Sequence, residues 1–575
     1  SFKATVGYQY FVRLDHCVRD KLHVVSKAQV SPITGQPVKG KRRDGGQRIG
    51  EMEFWTLFDH NTINTINALS ITNTEDPSNF KEDYFWTFRA LVNTYKDVDP
   101  QTIAEPCSIR FQKPKEIDVK ENCSGNEKEK KIAAREKFLR GIRPSKKEKN
   151  PGSAKKKLEK KYLLTKNGYL RKYMLGRRIH YSARATITPV TDIDIDHVYL
   201  PLEMALEWLK ELKELNVDPS NRPAAAARAT DLAREKGLVV LLNRQPSLHK
   251  HSISAAKPLF WEHRTIGLPI MLCEGFGADF DGDTMAVYLP IDQGEYTGEE
   301  LKRMLPSFSP YRVGNGELVY SIDQDLVYGE YVRSGLKKSE VKNEVLNIVR
   351  KAKNLPAELL KWQKETLDAS MDSTLSISFA ELATLSGNAK KIKESGSRGK
   401  EKNFEEIPKF AKGLSHDEYI VRPGDLDPER TIASRSRAGL MDKKLHVAQA
   451  GYFTRKLVEF LYPLRITEID CETGDGIRID RADFEVFEKS EVDLSRFILG
   501  RYVKRPGDED WRLVTRDDLK EFKDCDLIVR SPVTCETVNG LCSKCCGLEL
   551  SSMRERTTGD YIGVLAGHTI GERGT

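Results

Sequence analysis

The chain has 575 residues, 39% hydrophobic and 31% charged, which is enough apolar material for a substantial core spread over several domains. Its ten cysteines are too sparse for a disulfide scaffold. No apolar run is long enough to span a membrane and no secretory leader is recognisable, so a cytoplasmic protein is expected. The first residue is Ser, as expected of a fragment or a processed product.

The net charge of +8 conceals an asymmetry. Residues 128–178 hold 20 Lys or Arg against 4 Glu, an excess of +16 that leaves the rest of the chain at −8. Such a block suits contact with a polyanion. Its bland alternative is a solvated charged tract, but the block runs into "NGYLRKYMLGRRIHYSARATITP" (167–189), where Tyr and Arg interleave as in a folded nucleic-acid contact.

In chain order, residues 31–60 are loop-rich before a helix predicted from about Glu51. Residues 96–127 form a connector. The basic block is partly helical and broken by "PSKKEKNPGS". Residues 179–300 alternate β-rich runs ("ARATITPVTDIDIDHVYLP", "GLVVLLN", "LPIMLCEGF", "TMAVYLP") with a helix near 202–216. Residues 300–430 are mainly helical, 434–462 form one long helix, and the last hundred residues mix short strands with cysteines.

Two clusters carry chemistry. In "GFGADFDGDTMAVYLP" (275–290), Asp279, Asp281 and Asp283 lie two residues apart between apolar runs. With a strand entering, a tight loop at Gly282 and a strand leaving, the three carboxylates converge. Their repulsion is offset if a hard cation sits among them, and a few carboxylates with room for water and phosphates suit Mg²⁺. A calcium EF-hand needs Gly at its sixth and Glu at its twelfth position; counted from Asp279 these are Thr284 and Pro290. A carboxylate-held metal favours phosphoryl transfer. In "CETVNGLCSKC" (535–545), Cys542 and Cys545 form a C-x2-C knuckle and Cys535 adds a third thiolate, the pattern of a zinc site. Spacing leaves the fourth ligand open among Cys525, Cys546 and Cys471. A four-cysteine site has no open position and is structural.

These residues resemble a known family. "ADFDGD" is similar to the active-site loop of the multisubunit RNA polymerases, in the bacterial β′ subunit, and other segments follow in the family's order. "LLNRQPSLHKHSISAAKP" (241–258) resembles the stretch before that loop, which implies that Arg244 contacts the nucleotide ribose. "LGRRIHYSARATI" (175–187) resembles a segment at the template and hybrid, implying phosphate contacts from Arg178 and Arg184; His180 stands where the family usually has Asp. "NGELVYSIDQDLVYGEY" (315–331) resembles the stretch following the loop, with Gln324 and Asp325 at matching positions, which implies a substrate contact from Gln324. "SRSRAGLMDKKLHVAQAGYFTRKL" (434–457) resembles the bridge helix, with Arg437 toward substrate, Arg455 toward nucleic acid, and Val447 where many relatives carry Thr. "GDYIGVLAGHTIGERGT" (559–575) resembles the run into the trigger loop. Residues 6–57 resemble the C-terminal part of the β subunit, which implies that His16, Lys21 and the Gly45-Gly46-Gln47-Arg48 turn lie near the active centre and hybrid. The resemblance picks Cys471 as the fourth zinc ligand.

The resemblance implies an α+β fold: a six-stranded double-psi β-barrel carrying the aspartate loop, a long bridge helix and a small zinc module. It divides the chain into a β-like segment (1–95), a shortened basic connector (96–165), the barrel (166–300), a funnel-like helical region (301–430), the bridge helix (431–465), the zinc module (466–558) and the start of the trigger region (559–575). The implied activity is DNA-directed RNA synthesis, a nucleotidyl transfer from ribonucleoside triphosphates to the RNA 3′ end. Asp279, Asp281 and Asp283 would be catalytic through Mg²⁺, with structural Zn²⁺ on Cys471, Cys535, Cys542 and Cys545. Implied partners are template DNA, product RNA, the remaining β and β′ parts and an assembly or initiation factor. The short connector, the short funnel and the missing catalytic lysines of β suggest a reduced, rearranged polymerase of a phage or mobile element. Two competing readings are an RNA-templated polymerase with a related D-x-D-G-D loop and a non-catalytic nucleic-acid scaffold.

Overall fold

Period-two patterning decides the centre of the fold. The computed structural model describes residues 16–31, 36–72, 171–172, 175–209, 212, 218, 220–322, 325–336, 338–371, 447, 449–480, 495–522 and 525–572. Its first nine strands are β1 (His23–Val25), β2 (Gln47–Ile49), β3 (Arg177–Ile179), β4 (Ser182–Val190), β5 (His197–Pro201), β6 (Val240–Asn243), β7 (Ile253–Trp261), β8 (Ile266–Pro269) and β9 (Thr284–Tyr288). Six of them run in the order β4-β8-β5-β7-β6-β9, and a β4–β9 pairing closes them into a barrel. The β4–β8 and β5–β7 pairs are parallel and the other pairs around the ring are antiparallel. Closure removes the exposed edges of the sheet.

Neighbouring residues on one strand fall into different cores, as a two-residue repeat requires. Val240, Leu242, Ala256, Met285 and Val287 join one cluster with Ala183, Ala185 and Ile187. Leu241, Ala255, Ala286 and Tyr288 point the other way, into a second cluster with Ile49, Leu57 and Leu69 of the N-terminal segment. That segment is therefore built into the barrel wall. β1 extends β4 with His23 opposite Arg184, and β2 pairs with β3 with Arg48 opposite Arg178. Besides a short helix at Val18–Lys21, the segment carries α1 (Glu51–Asp59) and α2 (Ile63–Asn67). At the start of α1 the Gly50 N–H donates to Glu53 Oε2 at 2.7 Å, satisfying a group the helix leaves unpaired.

Helices α3 (Leu202–Trp208) and α4 (Arg222–Glu235) pack on the barrel; Thr230 Oγ1 of α4 accepts the Phe260 N–H of β7 at 2.8 Å. Helix α5 (Glu295–Arg303) supplies Glu300, only 3% exposed, whose carboxylate accepts the Asn64 and Thr65 N–H groups at 3.0 and 2.7 Å. A negative charge there complements the positive end of α2. Three further helices, α6 (Asp325–Ser334), α7 (Lys338–Lys351) and α8 (Leu355–Met371), match the expected helical region as far as it is described.

Two expectations change. The run "LPIMLCEGF" is a strand only as far as Pro269; a 3₁₀ turn (Ile270–Leu272) and a short helix (Cys273–Phe276) follow, ended by Gly277 in the left-handed region. A helix, not a strand, therefore enters the aspartate loop. The helix placed near 202–216 ends at Trp208, with Leu212 again helical. Of the long helix at 434–462, residues 449–461 are helical and 434–446 lie outside the described residues. Helix α9 (Ile562–Glu572) lies against it through Gly563, Gly567 and Gly571. A Cβ on Gly563 would sit 1.9 Å from the Leu461 carbonyl oxygen, and one on Gly571 2.3 Å from Thr454 Oγ1, so only glycine permits this approach.

The remaining strands form a small C-terminal unit. β10 (Ile466–Glu468) pairs with β15 (Leu541–Cys542), and β11 (Ile477–Ile479), β12 (Tyr502–Lys504), β13 (Arg512–Leu513) and β14 (Leu527–Val529) make a four-stranded sheet in the order β11-β14-β12-β13. No helix among the described residues is long and apolar enough to cross a membrane.

Where α1 meets the barrel, buried His60 donates from Nε2 to the carbonyls of Lys250 and Ile253 at 2.9 and 3.1 Å. Burial, then the nearby Lys250 charge, lowers its pKa to about 3, and burial also holds His251 well below the imidazole range. The unfolded chain takes protons below 6.5 that these folded imidazoles refuse, so stability falls as pH drops from 6.5. Glu549, whose carboxyl is held low against burial by Lys250, adds acid sensitivity only below 4.5. Between those two values the His60 imidazole contributes a loss of roughly 3 kcal/mol, and His251 adds to it in the same direction. Denaturant midpoints measured across that window should drop in the wild type and drop less in His60→Gln.

Candidate active site and metal centres

The aspartate loop is fixed from both ends. After Gly277 turns the chain, the Ala278 N–H bonds the Cys273 carbonyl at 2.8 Å; at the far end the Ile187 N–H of β4 bonds the Asp283 carbonyl at 3.0 Å. Gly282 has φ +117°, a conformation that disfavours a side chain, and Lys21 Nζ donates to its carbonyl at 3.1 Å. A carboxylate oxygen of Asp279, of Asp281 and of Asp283 all lie within 4.8 Å of one another, the first two exposed and the third half-buried. Asp283 Oδ2 accepts Arg244 Nε at 2.7 Å. The carboxyl of Asp279 is raised above its ordinary value, first by its hydrogen bond with Asp281, then by slight desolvation within the loop and by the Asp281 and Asp283 charges, against the pull of Arg244. Arg244 and Lys21 against three carboxylates still leave an excess of negative charge, and the carboxylate donors are all hard oxygens: the set fits a small divalent cation.

Several of the expected residues gather near this loop. Arg184 donates to Gln47 Oε1 at 3.0 Å, to Thr284 Oγ1 at 3.2 Å and to Gln245 Oε1 at 3.0 Å, tying the N-terminal segment to the first residue of β9. Arg48 bonds the carbonyls of Lys172 and Arg171, and Arg178 that of Gly46. His180 accepts the Ala28 N–H on Nδ1 at 2.9 Å, which gives that position a buried partner. His16 is exposed, ahead of the short helix that presents Lys21. Arg455 pairs with Glu459 and lies 3.5 Å from Glu51 of α1, so its charge is shared between carboxylates. Val447 is half exposed. Gln324 and Arg437 lie outside the described residues. Gln47 belongs to the Gly45–Arg48 turn that the resemblance puts near the active centre, whereas sequence reasoning missed the Gln245 amide, which has no local pattern that announces its role.

The second centre brings together Cys471, Cys535, Cys542 and Cys545. Cys471 Sγ lies 3.6, 3.7 and 3.8 Å from the sulfurs of Cys542, Cys545 and Cys535. A tetrahedron with metal–sulfur bonds of about 2.3 Å has edges of about 3.8 Å, so the set fits zinc. Backbone N–H groups bond the knuckle: Cys545 N to Cys542 Sγ at 3.2 Å and Cys542 N to Cys535 Sγ at 3.4 Å. Burial alone would raise the Cys471 thiol, but the Glu536 and Thr473 backbone N–H groups and then the neighbouring thiols bring it down to about 6. The other two candidates separate from the cluster. Cys546 is buried with Ile466 and Leu541, its thiol pushed up to about 12, and Cys525 packs beside the four-stranded sheet.

Residues 1–43 match the family described as RNA polymerase Rpb2, domain 6, residues 226–305 match RNA polymerase Rpb1, domain 2, and residues 431–575 match RNA polymerase Rpb1, domain 5. The chain is similar to the DNA-directed RNA polymerase subunit beta' of Aliarcobacter butzleri, at 24% identity over 71% of this chain and 38% of that protein. The same subunit of Acetivibrio thermocellus is 26% identical over 74% of this chain and 52% of its own length, and that of Pelotomaculum thermopropionicum 25% over 74% and 50%. The chain thus spans about half the length, or less, of these curated relatives.

Proposed function

We propose, from the premise that this chain is a relative of the bacterial-type multisubunit RNA polymerases with a β-type segment ahead of a β′-type one, that it forms the catalytic part of a DNA-directed RNA polymerase. The observation that carries the reading is the convergence of Asp279, Asp281 and Asp283 on a loop of a closed six-stranded barrel, inside the stretch that matches Rpb1 domain 2. In this reading the RNA 3′ hydroxyl attacks the α-phosphate of a ribonucleoside triphosphate and pyrophosphate leaves. The three aspartates would hold Mg²⁺, which when bound supplies Lewis-acid stabilisation of charge on the reacting oxygens. Arg244 holds Asp283 in one orientation and is proposed to contact the ribose of the incoming nucleotide. Lys21 and Gly282 keep the loop in the turn that makes the carboxylates converge. Arg184, with Gln47, Gln245 and Thr284, braces the loop's exit. His16, Arg48, Arg178 and Arg455 are proposed on the nucleic-acid and substrate side of the cleft, together with Gln324 and Arg437. Zn²⁺ on the four cysteines would be structural, since all four positions are filled by protein. The partners are the remaining β and β′ parts, template DNA and product RNA.

The test is RNA synthesis from ribonucleoside triphosphates by the chain assembled with its partner subunits, on DNA and on RNA templates, with and without Mg²⁺. Mg²⁺-dependent synthesis on DNA is expected. Synthesis chiefly on RNA would replace this reading with an RNA-templated polymerase, and no synthesis on either template would leave a scaffold.

A further inference from the structure

Arg530 is among the largest fully buried side chains of the protein, at 1% exposure. A guanidinium cannot lose its proton, so burying one requires anionic partners. Its Nη1 donates to Asp470 Oδ1 at 2.7 Å. That carboxylate is already shared, because Lys544 Nζ lies 2.6 Å from its other oxygen. Two cations against one carboxylate leave a surplus positive charge facing the cysteine centre. Arg530 Nη2 faces the sulfurs of Cys471 and Cys545 at 3.3 Å each and Cys542 at 3.7 Å. Its Nε makes no hydrogen bond, so Nη1 is spent on Asp470 and Nη2 on sulfur. The backbone fixes the direction: the Arg530 N–H, one residue beyond β14, bonds the Tyr502 carbonyl at 2.8 Å, and the guanidinium lies 5.5 Å from the Trp511 ring centroid.

We propose that Arg530 is the positioning residue that retains the metal of the cysteine centre, its guanidinium capping the face made by the Cys471, Cys542 and Cys545 sulfurs. The inference rests on the reading that these cysteines hold zinc. A divalent ion with four thiolates carries two surplus negative charges, and a buried site of that charge is unstable without a counter-charge. N–H donors directed at bound sulfurs draw off part of that charge. They also occupy the lone pairs on which a proton would begin ligand release. A single ammonium cannot bond Asp470 and reach three sulfurs at once, whereas a planar fork can.

The experiment uses the full chain purified with zinc. Metal content is measured first, then the rate at which zinc passes to a chromogenic chelator, for the wild type, Arg530→Met and Arg530→Lys. Release should be roughly 10- to 100-fold faster in Arg530→Met, and intermediate in Arg530→Lys. Wild-type zinc with unchanged release from a folded Arg530→Met overturns the proposal and leaves the zinc reading standing. A wild type that holds no zinc overturns both. The melting temperature of the metal-stripped chain is the control for packing: if Arg530→Met lowers it as much as it lowers that of the loaded chain, Arg530 serves packing alone and the proposal falls. Where Arg530→Met does not fold, Arg530→Lys decides, release at the wild-type rate overturning the proposal and faster release supporting it.

Discussion

Asp281→Ala is expected to lower Mg²⁺-dependent RNA synthesis by about 10³-fold or more while leaving the melting temperature unchanged or slightly raised. The two effects share one cause. Asp281 is exposed and its main neighbour is another carboxylate, Asp279, whose proton it helps to retain. Removing it relieves repulsion in the empty loop and deletes a ligand from the filled one. A site that is destabilising until a cation arrives should respond in this way, because its charge is arranged for binding rather than for folding. Asp283→Ala should differ. It leaves Arg244 without its 2.7 Å partner in a half-buried position, so both stability and synthesis should fall. Synthesis assays and thermal melts on the two variants check the contrast. Asp281→Ala retaining a tenth or more of wild-type synthesis would sink the catalytic reading.

The aspartate loop was legible because its ligands are local, three carboxylates within five residues with a glycine to turn them. The cysteine centre was only partly so. The C-x2-C knuckle and Cys535 are near neighbours, but Cys471 lies 64 residues before Cys535, and spacing could not choose it over Cys525 or Cys546. Family resemblance chose it, and the fold brings it in by pairing β10 with β15. Barrel closure has the same character. It depends on β4 meeting β9, about a hundred residues later, and a local two-residue period says which face is buried but not which strands meet. The segment before the aspartates shows the opposite failure. "IMLCEGF" is an apolar run that fits a strand or a short helix equally, and Pro269 with the left-handed Gly277 settled it as helix. Arg530 had a faint signal, a lone Arg ending the apolar strand "LIV", which reads as a buried cation with unknown partners.

Stripping zinc with a chelator, or replacing Cys542 by Ser, is expected to melt the β10–β15 knuckle while leaving the barrel folded. Among the described residues, Ile466, Leu541 and Cys546 form the buried core beneath that strand pair, with Leu464, Cys535 and Ile562 partly buried against them, too few apolar side chains to hold it against chain entropy. Metal ligation in small zinc domains supplies about 10–16 kcal/mol of apparent binding energy, so its loss should be decisive locally. The barrel has its own core, from Ala183 to Val287, and needs no metal to keep it. Amide exchange should therefore quicken at 541–548 and 466–471 and stay slow at 253–261. The consequence reaches the other site. The Gly559 N–H bonds the Ile466 carbonyl at 2.7 Å and the Ile466 N–H bonds the Asp560 carbonyl at 3.1 Å, so the chain entering α9 is laid directly on β10. Helix α9 in turn lies glycine-close against residues 454–461 of the neighbouring helix. Loosening β10 releases the start of α9, and RNA synthesis should fall in the zinc-stripped complex although no aspartate has been touched. Full synthesis from a complex shown to be metal-free at the cysteines would mean that α9 is held by its packing against α1 and the 449–461 helix alone.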